Sequence, residues 1–340
     1  MLDRLPAGAA DMCITSPPYW AQRRYADDSG LGQEATPEYY VENLCAILNR
    51  LGRVLVPGGS LWLNIGDTYQ KKRLMGVPWR VALDLQDSGW ILRNAIVWDK
   101  MKGNPCNAKD KLRNVHEMVF HLVRRQDYYY DVDSIRNEPG KPFYRNGRIV
   151  TATGVSGSKY EQQIDESTEL TSAQKQEARA ALRAALRAVE MGELPDFRMV
   201  IRGTQRSTHS DNSEYSGRAA ELQRTGFAIL PYHKHGTKPG DVWRIIPEDE
   251  WRTDTHYAVF PEELCRLPIR ATAPPGGVVL DPFAGTGTAL VVALKEGRSA
   301  IGIDTSLSYL EHAADRIRQA KMGSPEIAAN GGERPFRNVR

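Results

Sequence analysis

The run Thr-Ser-Pro-Pro-Tyr-Trp at residues 15–20 has the residue types of a rigid pocket for a polar ligand. Its two prolines fix two φ angles and remove two backbone N–H donors, so the carbonyl groups beside them can act as hydrogen-bond acceptors. Ser16 adds a hydroxyl acceptor, and Tyr19 and Trp20 add flat aromatic faces. This set suits an exocyclic amino group on a stacked nucleobase. A Pro-Pro turn with two core aromatic residues explains each residue singly, but not all six directly after a strand, where open α/β sheets bind ligands.

A glycine-rich loop follows the apolar segment 278–281 and opens a helix. Gly285 and Gly287 permit a tight turn and a close approach of the backbone to a ligand. Asp304 ends the next apolar segment, 17 residues after Gly287, where a carboxylate would accept hydrogen bonds from ribose hydroxyls. The loop reads GTGTAL rather than GxGxxG, so a dinucleotide site is not indicated. A glycine that packs helix on strand and an Asp that caps a helix would give the same pattern, so this element alone leaves both interpretations open.

The composition is that of a globular protein of two domains, or of one large domain with an insertion. The chain has 340 residues, of which 41% are hydrophobic and 26% are charged. No apolar run reaches the ~18 residues that span a bilayer, and the N-terminus lacks an apolar signal core. The net charge of +3 is too small to indicate a nucleic-acid partner by itself.

The cysteines favour a reducing, cytoplasmic environment. There are four, and none forms a CxxC pair: Cys13, Cys45, Cys106 and Cys265. This spacing argues against a zinc site or a disulfide framework. We therefore expect no metal cofactor and a cytoplasmic protein, in a prokaryotic cell or a phage-infected host.

Strand and helix patterns alternate in the first and last parts of the chain. Strands are predicted at 11–15, 60–65, 91–98, 115–123, 278–281 and 299–304. Helices are predicted from Pro37 behind a Thr36 cap, and at 78–88, 260–272, 288–293 and 307–320. Residues 56–59 read as a turn. The alternation predicts a doubly wound, mostly parallel α/β sheet.

The alternation stops between about 135 and 250. This segment contains a predicted long helix at 171–192 and Gly-, Ser-, Arg- and His-rich stretches around it. Between 198 and 244, eight Lys/Arg residues against four acids give a local excess of four positive charges. A solvated polar insertion and a nucleic-acid contact surface both fit this pattern. The tail, residues 321–340, has the composition of a flexible end.

Several segments together resemble a DNA amino-methyltransferase of the permuted β group, in which the catalytic motif precedes the cofactor motif. The catalytic motif is TSPPYW at 15–20, and the glycine motif is LDPFAGTGT at 280–288. RVLVPGGSLWLNIGD (53–67), RNAIVWDK (93–100), RNVHEMVFHLVRRQDYYYD (113–131) and THYAVFPEELCRLPI (255–269) also resemble family segments. The resemblance implies a Rossmann-like fold, S-adenosylmethionine as cofactor and double-stranded DNA as substrate. It also implies a target-recognition insertion, and it allows a cognate restriction endonuclease and a monomer or homodimer.

The resemblance assigns roles to individual positions. Residues implied to hold the flipped base and its amine are Ser16, Pro17, Pro18 and Tyr19. Residues implied to bind the cofactor are Thr15, Phe260, Pro261, Glu262, Asp281, Phe283, Gly285, Gly287, Thr288 and Asp304. The aromatic faces of the acceptor loop and the basic excess of the insertion, rather than the resemblance, give the candidate DNA contacts: Trp20, Arg202, Arg206, Arg218 and Arg224. The expected organisation is a catalytic half (1–135), a target-recognition insertion (136–250), a cofactor-binding half (251–320) and the tail.

The resemblance also bears on the target base and on the start of the chain. The family's N6-adenine enzymes usually carry Asp or Asn where this chain has Ser16, and its N4-cytosine enzymes usually carry Ser, so cytosine N4 is expected, with adenine N6 as the alternative. Cytosine C5 methylation is disfavoured, because Pro105-Cys106 lies in a polar loop without the surroundings of a nucleophilic cysteine. The family also has a strand and a Gly-Asp pair before the catalytic strand. We expect either a truncated start or a sheet one strand short with a more open adenine pocket.

Three other functions remain open at this point. An NAD-dependent dehydrogenase would use the glycine loop but leaves TSPPYW without a role. A non-catalytic DNA-binding protein on the same scaffold would not need Ser16, Gly285 and Asp304 together. An RNA or protein methyltransferase could share the Pro-Pro-Tyr segment, although the permuted order and the basic insertion favour DNA.

Overall fold

The computed structural model describes residues 1–22, 30–101, 108–154, 156–203, 217–247 and 261–322, without the side chains of 217–220 and 322. The chain divides into two compact units. The sheet unit comprises Met1–Ile135 and Gly240–Arg340, and the inserted unit comprises Arg136–Pro239. Some predicted positions lie outside the described residues: Cys106, Arg206, Phe260 and residues 323–340 of the tail.

The described strands are β1 (Ala10–Thr15), β2 (Leu55–Ile65), β3 (Tyr69–Gln70), β4 (Arg73–Leu74), β5 (Ile91–Asp99), β6 (His116–Val123), β7 (Phe143–Arg145), β8 (Arg148–Val150), β9 (Phe197–Ile201), β10 (Phe227–Pro231), β11 (Val242–Arg244), β12 (Val278–Asp281) and β13 (Ser299–Gly302). The described helices are α1 (Pro37–Val54), α2 (Val77–Asp87), α3 (Gly157–Glu166), α4 (Ser172–Glu190), α5 (Gly217–Thr225), α6 (Glu262–Thr272), α7 (Thr288–Lys295) and α8 (Leu307–Met322). Two short 3₁₀ turns lie at Leu2–Arg4 and Asp133–Ile135.

Among the described residues, the central sheet has seven strands in the order β11-β5-β6-β2-β1-β12-β13. β1 pairs in parallel with β2 and β12, β12 with β13, and β11 with β5. β6 runs antiparallel to both β2 and β5. Since parallel pairs predominate and helices pack on both faces, the predicted doubly wound α/β fold is confirmed.

Successive side chains of β2 point to opposite faces of the sheet and belong to two different hydrophobic cores. Leu61 and Leu63 face a core shared with α1 and α2, whereas Trp62 faces a core shared with α6 and α7. This two-residue period is what a strand buried on both faces requires. The strand therefore buries Leu61 and Leu63 on one face and Trp62 on the other, with polar Ser60 and Asn64 on either side of Trp62.

Helix α1 begins as its sequence predicts. The Thr36 side chain accepts a hydrogen bond from the backbone N–H of Tyr39, and Pro37 occupies the first helical position. Tyr40, Leu44 and other residues at helical spacing are fully buried. The cap and the apolar face together fix the start and the orientation of this helix.

The segment predicted as a turn at 56–59 lies inside β2. The register of β1 and β2 shifts here: Ala10 pairs with Leu55, whereas Met12 pairs with Ser60. Four residues of β2 thus bulge out opposite one residue of β1. Pro57 and Gly58 explain the bulge, because a proline supplies no ladder N–H and a glycine tolerates the bend.

Residues 240–247, which the sequence analysis placed within the insertion, contribute to the sheet unit. Val242, Trp243 and Arg244 form β11, which pairs in parallel with β5. Trp243 is buried and stacks near Trp62, with 6.1 Å between the ring centres. A strand of three residues carries too little periodicity to be read from the sequence.

The inserted unit has a core of its own. Tyr160 and Ile164 of α3, Leu182 of α4 and Phe197 of β9 pack together. β9 and β10 pair antiparallel, as do β7 and β8. The predicted long helix is present as α4, with a capping box between Thr171 and Gln174.

In the described part of the chain, no helix is long and apolar enough to cross a membrane.

Candidate active site

The TSPPYW segment leaves β1 at the carboxyl edge of the central sheet. β1 lies between β2 and β12, so Asn64 near the end of β2 and Asp281 at the end of β12 lie beside it. Because β6 is antiparallel, its first residues lie at the same edge, which brings Glu117 there too. Parallel strands collect polar end residues at one edge in this way, and ligands bind in the crevice outside it.

Five side chains at or just beyond the ends of four strands form a polar cluster at this edge: Ser16, Tyr19, Asn64, Lys100 and Glu117. The Ser16 Oγ lies 3.3 Å from Asn64 Oδ1 and 3.1 Å from the Tyr19 hydroxyl. The Tyr19 hydroxyl donates to Glu117 Oε2 at 2.6 Å, and Asn64 Nδ2 donates to the same oxygen at 3.1 Å. The Lys100 ammonium forms an ion pair with the other oxygen of Glu117.

The hydrogen bonds leave Ser16 as an acceptor. A serine hydroxyl has one hydrogen to donate and two lone pairs that can accept. Asn64 Oδ1 and the Tyr19 oxygen are both positioned to receive that hydrogen. When the hydrogen is donated into the cluster, the lone pairs of Ser16 Oγ are available to an incoming N–H group.

The Tyr19 phenol is held as a neutral donor. Burial and, after it, the nearby Glu117 carboxylate raise the pKa of Tyr19 well above its usual value. The ring position depends on Gly66, because a Cβ there would lie 2.7 Å from Cε2 of Tyr19. The Pro18 carbonyl oxygen accepts from the Tyr40 hydroxyl at 2.8 Å, which fixes the loop from below.

The prediction that Trp20 contacts DNA is wrong. Its side chain is only 2% exposed and belongs to the core beneath the loop. Its indole N–H donates to the Glu34 carbonyl at 2.9 Å, which satisfies the polar end of the ring. Trp20 therefore anchors the TSPPYW loop instead of presenting a face to a ligand.

Asp281 joins the TSPPYW segment to the glycine loop, defined here as residues 282–288. Its Oδ1 accepts from Thr15 Oγ1 at 2.6 Å and from the backbone N–H of Phe283 at 3.1 Å. No described residue supplies a hydrogen bond to its buried Oδ2. Burial, and in lesser part the Asp304 charge, raise the pKa of Asp281 to about 7. A buried carboxylate oxygen without a partner is the kind of group that a cationic ligand would satisfy.

Asp304 lies at the other side of the glycine loop. Its Oδ2 accepts from the backbone N–H of Gly285 at 2.8 Å, and its Oδ1 accepts from Ser306 N–H at 2.9 Å. The carboxylate thus serves the loop turn and the start of α8, which is the structural role left open by the sequence. A carboxylate has about four lone-pair sites, so ribose hydroxyls can still be accepted.

Gly287 is required by the packing of the loop. Its φ of 79° is in the left-handed region, and a Cβ there would lie 2.8 Å from the Cβ of Ala313 on α8. Gly285 also has a positive φ, of 50°. The predicted tight turn is therefore present, and Gly287 brings α7 and α8 close together.

Glu262 and Thr288, two predicted cofactor residues, meet at Arg316. The Arg316 guanidinium donates to Thr288 Oγ1 at 2.9 Å and to the Thr286 carbonyl at 2.9 Å. Glu262 lies 3.9 Å from Arg316 and pairs with Lys295 at 2.7 Å. Through these contacts Arg316 of α8 supports the glycine loop and the start of α7. Pro261 is the N-cap of α6 and is buried.

In the inserted unit, Arg202 has internal partners. Its guanidinium donates to the carbonyls of Glu169 and Gln223, at 2.7 and 3.3 Å, and pairs with the Glu169 carboxylate. The structure thus ties Arg202 to neighbouring segments of the same unit. The Arg224 side chain is exposed, Arg206 lies outside the described residues, and the side chain of Arg218 is not described.

The DNA methylase family model, N6_N4_Mtase, matches residues 10–315. The chain belongs to this DNA methylase family. The resemblance seen in its motifs is therefore confirmed. The Type II methyltransferase M.SfiI of Streptomyces fimbriatus is 30% identical, over 96% of this chain and 90% of M.SfiI.

Two solved structures show the DNA methylase fold. The PvuII DNA methyltransferase, which is cytosine-N4-specific, aligns with a TM-score of 0.55 and 15% identity, over 97% of this chain and 89% of its own. The putative DNA modification methylase TTHA0409 from Thermus thermophilus, in complex with S-adenosyl-L-methionine, aligns with a TM-score of 0.50 and 19% identity, over 95% of this chain and 92% of its own. The Rossmann-like prediction agrees with both.

Three members of the polar cluster were not identified from the sequence of this DNA methylase: Asn64, Lys100 and Glu117. Each lies at or just beyond the end of a strand where that end meets the carboxyl edge of the sheet. A polar Asn inside the apolar run Leu61–Ile65 is the signal that could have found one of them. Lys100 and Glu117 carry no such signal, since charged residues commonly flank strands.

Proposed function

We propose that this chain transfers the methyl group of S-adenosylmethionine to the exocyclic N4 amine of cytosine in double-stranded DNA. The observation that carries the proposal is the Thr15–Asp281 hydrogen bond. It joins Thr15, the residue before the acceptor Ser16, to Asp281, the residue before the glycine loop. An amine pocket and a cofactor pocket would thereby be adjacent, as an in-line displacement requires.

The residues present fit the cofactor. The unpartnered, buried Oδ2 of Asp281 suits a cationic group such as the ammonium of a methionine moiety. Asp304 keeps lone pairs for ribose hydroxyls, and Phe283 lies partly buried beside the same loop. When bound, S-adenosylmethionine would supply an electrophilic methyl group on a sulfonium.

The polar cluster would prepare the amine. An exocyclic amine conjugated to a base is a weak nucleophile, because its lone pair is delocalised into the ring. Ser16 Oγ, and a carbonyl of the Pro-Pro segment, would accept its N–H bonds and favour a pyramidal nitrogen. The nitrogen held in this way would form its bond to the methyl carbon as the carbon–sulfur bond breaks, and it would then release one proton to water.

Tyr19 would hold the flipped base by its ring face. Extruding a base costs a few kcal/mol, and aromatic stacking returns ~1–3 kcal/mol per base. Glu117, Asn64 and Gly66 fix the orientation of the ring. Catalysis would then come chiefly from positioning, for which well-held reactants gain ~7–11 kcal/mol.

The choice of cytosine over adenine rests on Ser16 and on the resemblance described above. Purified protein incubated with tritiated S-adenosylmethionine and unmodified DNA should label the DNA, and nucleoside analysis should give N4-methyldeoxycytidine. N6-methyldeoxyadenosine would establish the alternative base. No label in DNA would refute the proposal, and a thermal shift with NAD but not with S-adenosylmethionine would favour the dehydrogenase.

We further propose that the inserted unit selects the DNA sequence. Its separate core and its local basic excess support this role. Arg224→Ala and Arg206→Ala should each have one of two effects. Either the specificity at one base is relaxed, or the affinity for all DNA sequences is lowered equally. Sequencing of genomic DNA from an expressing host would report the base and the recognition site. By extension from M.SfiI, we propose a restriction–modification setting with a cognate endonuclease.

A further inference from the structure

A short hairpin beside the polar cluster carries two lysines in an unfavourable backbone conformation. β3 and β4 pair antiparallel, with Tyr69 opposite Leu74 and Gln70 opposite Arg73, so Lys71 and Lys72 form a two-residue turn. Their φ angles are 47° and 64°, both in the left-handed region. Such turns favour Asn-Gly, because β-carbons are strained there. Strained residues of this kind cluster at functional sites, which prompts the question of what the two lysines do.

The hairpin is anchored next to the TSPPYW loop. The Asp67 side chain accepts from the backbone N–H groups of Thr68, Gly76 and Val77, which closes the base of the hairpin. The Thr68 hydroxyl donates to the Trp20 carbonyl at 2.8 Å. Lys71 follows Thr68 by three residues, which extend at most ~10 Å. The turn therefore lies within that reach of the end of the TSPPYW loop.

A second exposed segment lies against this hairpin. Lys72 Nζ is 3.2 Å from Asp110 Oδ2, and Lys111 Nζ lies 3.5 Å from the centre of the Tyr69 ring. The segment 108–114 is exposed throughout and leads into β6, whose Glu117 binds Tyr19. The two segments thus flank the polar cluster from β2 and from β6. We name residues 69–74 and 108–114 together the basic rim.

The basic rim concentrates positive charge. It holds six basic residues and one acidic residue, for a net charge of +5: Lys71, Lys72, Arg73, Lys109, Lys111, Arg113 and Asp110. The whole chain has a net charge of +3, so everything outside the rim sums to −2. All seven of these side chains are exposed. A solvated surface would not require a net charge of +5 in two short segments beside one pocket.

We propose that the basic rim binds backbone phosphates of the DNA strand on either side of the target base, independently of sequence. This rests on the proposed function, because the rim flanks the pocket in which Tyr19 and Ser16 would hold the base. Compact ammonium groups on flexible stems suit phosphates, and each contact releases counterions from the duplex. The rim would hold the backbone while the inserted unit reads the sequence.

The test removes the two turn lysines without harming the turn. K71N/K72G places the favoured Asn-Gly pair at the left-handed positions, so the hairpin should form at least as well. The matched control R50Q/R125Q removes the same charge at the opposite edge of the sheet; Arg50 makes an exposed ion pair with Asp3, and Arg125 follows the end of β6. A second variant, K111Q/R113Q, alters the rim without touching the hairpin.

Binding is measured by fluorescence anisotropy with a labelled 40-base-pair mixed-sequence duplex and S-adenosylhomocysteine, from 50 to 300 mM salt. For K71N/K72G, the slope of log affinity against log salt should decrease by about 1.8, and affinity near 0.1 M salt should fall roughly tenfold or more. K111Q/R113Q should show a comparable loss. The control should keep the wild-type slope and affinity, and all variants should keep the wild-type thermal shift with S-adenosylmethionine.

Unchanged slopes in both rim variants, or an equal loss in the control, would overturn the proposal. Methyl transfer is assayed in parallel with bulk DNA. If the wild-type protein methylates DNA but the rim variants keep the wild-type salt slope, DNA binding by the rim is refuted and the proposed function is not. Wild-type protein that shows the rim-dependent slope but transfers no methyl group refutes the proposed function and leaves the rim as a DNA-binding surface.

Discussion

The polar cluster and the glycine loop are built by different means, although Thr15 and Asp281 join them. In the polar cluster, side chains at or just beyond the ends of β1, β2 and β6 bond to one another across 45 to 98 residues of sequence. Around the glycine loop, carboxylates mainly accept backbone N–H groups from residues 2 to 19 positions away in the sequence: Phe283 to Asp281, Ser306 to Asp304 and Gly285 to Asp304. The first arrangement depends on strand register, and the second depends on local chain conformation.

We expect the two regions to differ in function as well, and mutations can separate their effects on cofactor affinity and on turnover. Changes at the glycine loop should alter cofactor affinity with little effect on turnover at saturating cofactor. Changes in the polar cluster should do the opposite. Substitutions at single residues of each region test that separation.

The largest effect concerns the stability of the cofactor-free protein near Asp281. Because burial raises its pKa from 3.8 to about 7, the folded state favours the protonated carboxyl. Its contribution to stability is therefore fully present below pH ~4 and is lost as the pH rises through about 7. The loss is on the order of 4 kcal/mol if the raised pKa is fully expressed. The free energy of unfolding, taken from denaturant curves between pH 4 and 8.5, measures this loss.

The matched variant for this prediction is Asp281→Asn, which keeps the acceptor for Thr15 but cannot ionise. His121 titrates in an overlapping range with the opposite sign, because burial lowers its pKa from 6.5 to about 3. The informative quantity is therefore the difference between wild type and variant. A difference that does not change between pH 5 and 8.5 would contradict the prediction, and saturating S-adenosylmethionine should reduce it.

Asp304→Ala should weaken S-adenosylmethionine binding by about 3 kcal/mol, roughly 100-fold in Kd, because charged acceptors for two hydroxyls are lost. Turnover at saturating cofactor should change much less. Calorimetry gives the affinity, with Asp315→Ala as the control, since Asp315 is exposed and pairs only one helical turn away with Arg318. Unchanged affinity would remove Asp304 from the cofactor site.

Ser16→Ala should reduce kcat by one to two decades, about 1–3 kcal/mol, because it removes an acceptor used chiefly in the transition state. The Kd for S-adenosylmethionine should stay at the wild-type value. Single-turnover methyl transfer measures the first quantity and calorimetry the second. Ser88→Ala, at an exposed helix end, is the control. Wild-type turnover in Ser16→Ala would show that the amine is held elsewhere.

Glu117→Gln should have the smallest effect, about 1 kcal/mol or fivefold in kcat, because the amide can still accept from Tyr19. The neutral side chain leaves Lys100 without its carboxylate partner. If Glu117 acts by positioning Tyr19, the double variant with Tyr19→Phe should be no slower than the slower single variant. Additive losses would show an independent role, and Glu42→Gln on the exposed face of α1 is the isosteric control.

The glycine loop was predicted from the sequence more completely than the polar cluster was. The glycine loop, the turn residues Gly285 and Gly287 and the acid at 304 lie within one short stretch, so their arrangement follows from local rules. The helix start at Thr36 and Pro37 is local in the same sense. The doubly wound sheet followed from the alternation of elements.

What the sequence did not predict depends on distant pairing. Glu117 reaches Tyr19 only because β6 is antiparallel and begins at the edge where β2 ends, and no local pattern states that. Trp20 was assigned to a ligand surface because an aromatic residue beside a loop looks the same whether it faces outward or inward. β11 was missed because three residues give no period. The bulge at 56–59 was read as a turn, since Pro and Gly favour both.

The position of β1 between β2 and β12 constrains when the protein can become active. Asp281 is 266 residues later in the chain than Thr15, its hydrogen-bond partner. Until the ribosome has supplied β12, β1 is an edge strand with unpaired backbone groups. Closure of such a distant contact is entropically costly and slow compared with local folding. A partly synthesised chain therefore lacks both the glycine loop and β12, the strand that precedes it, so the ability to modify DNA would arise only once the sheet unit is complete.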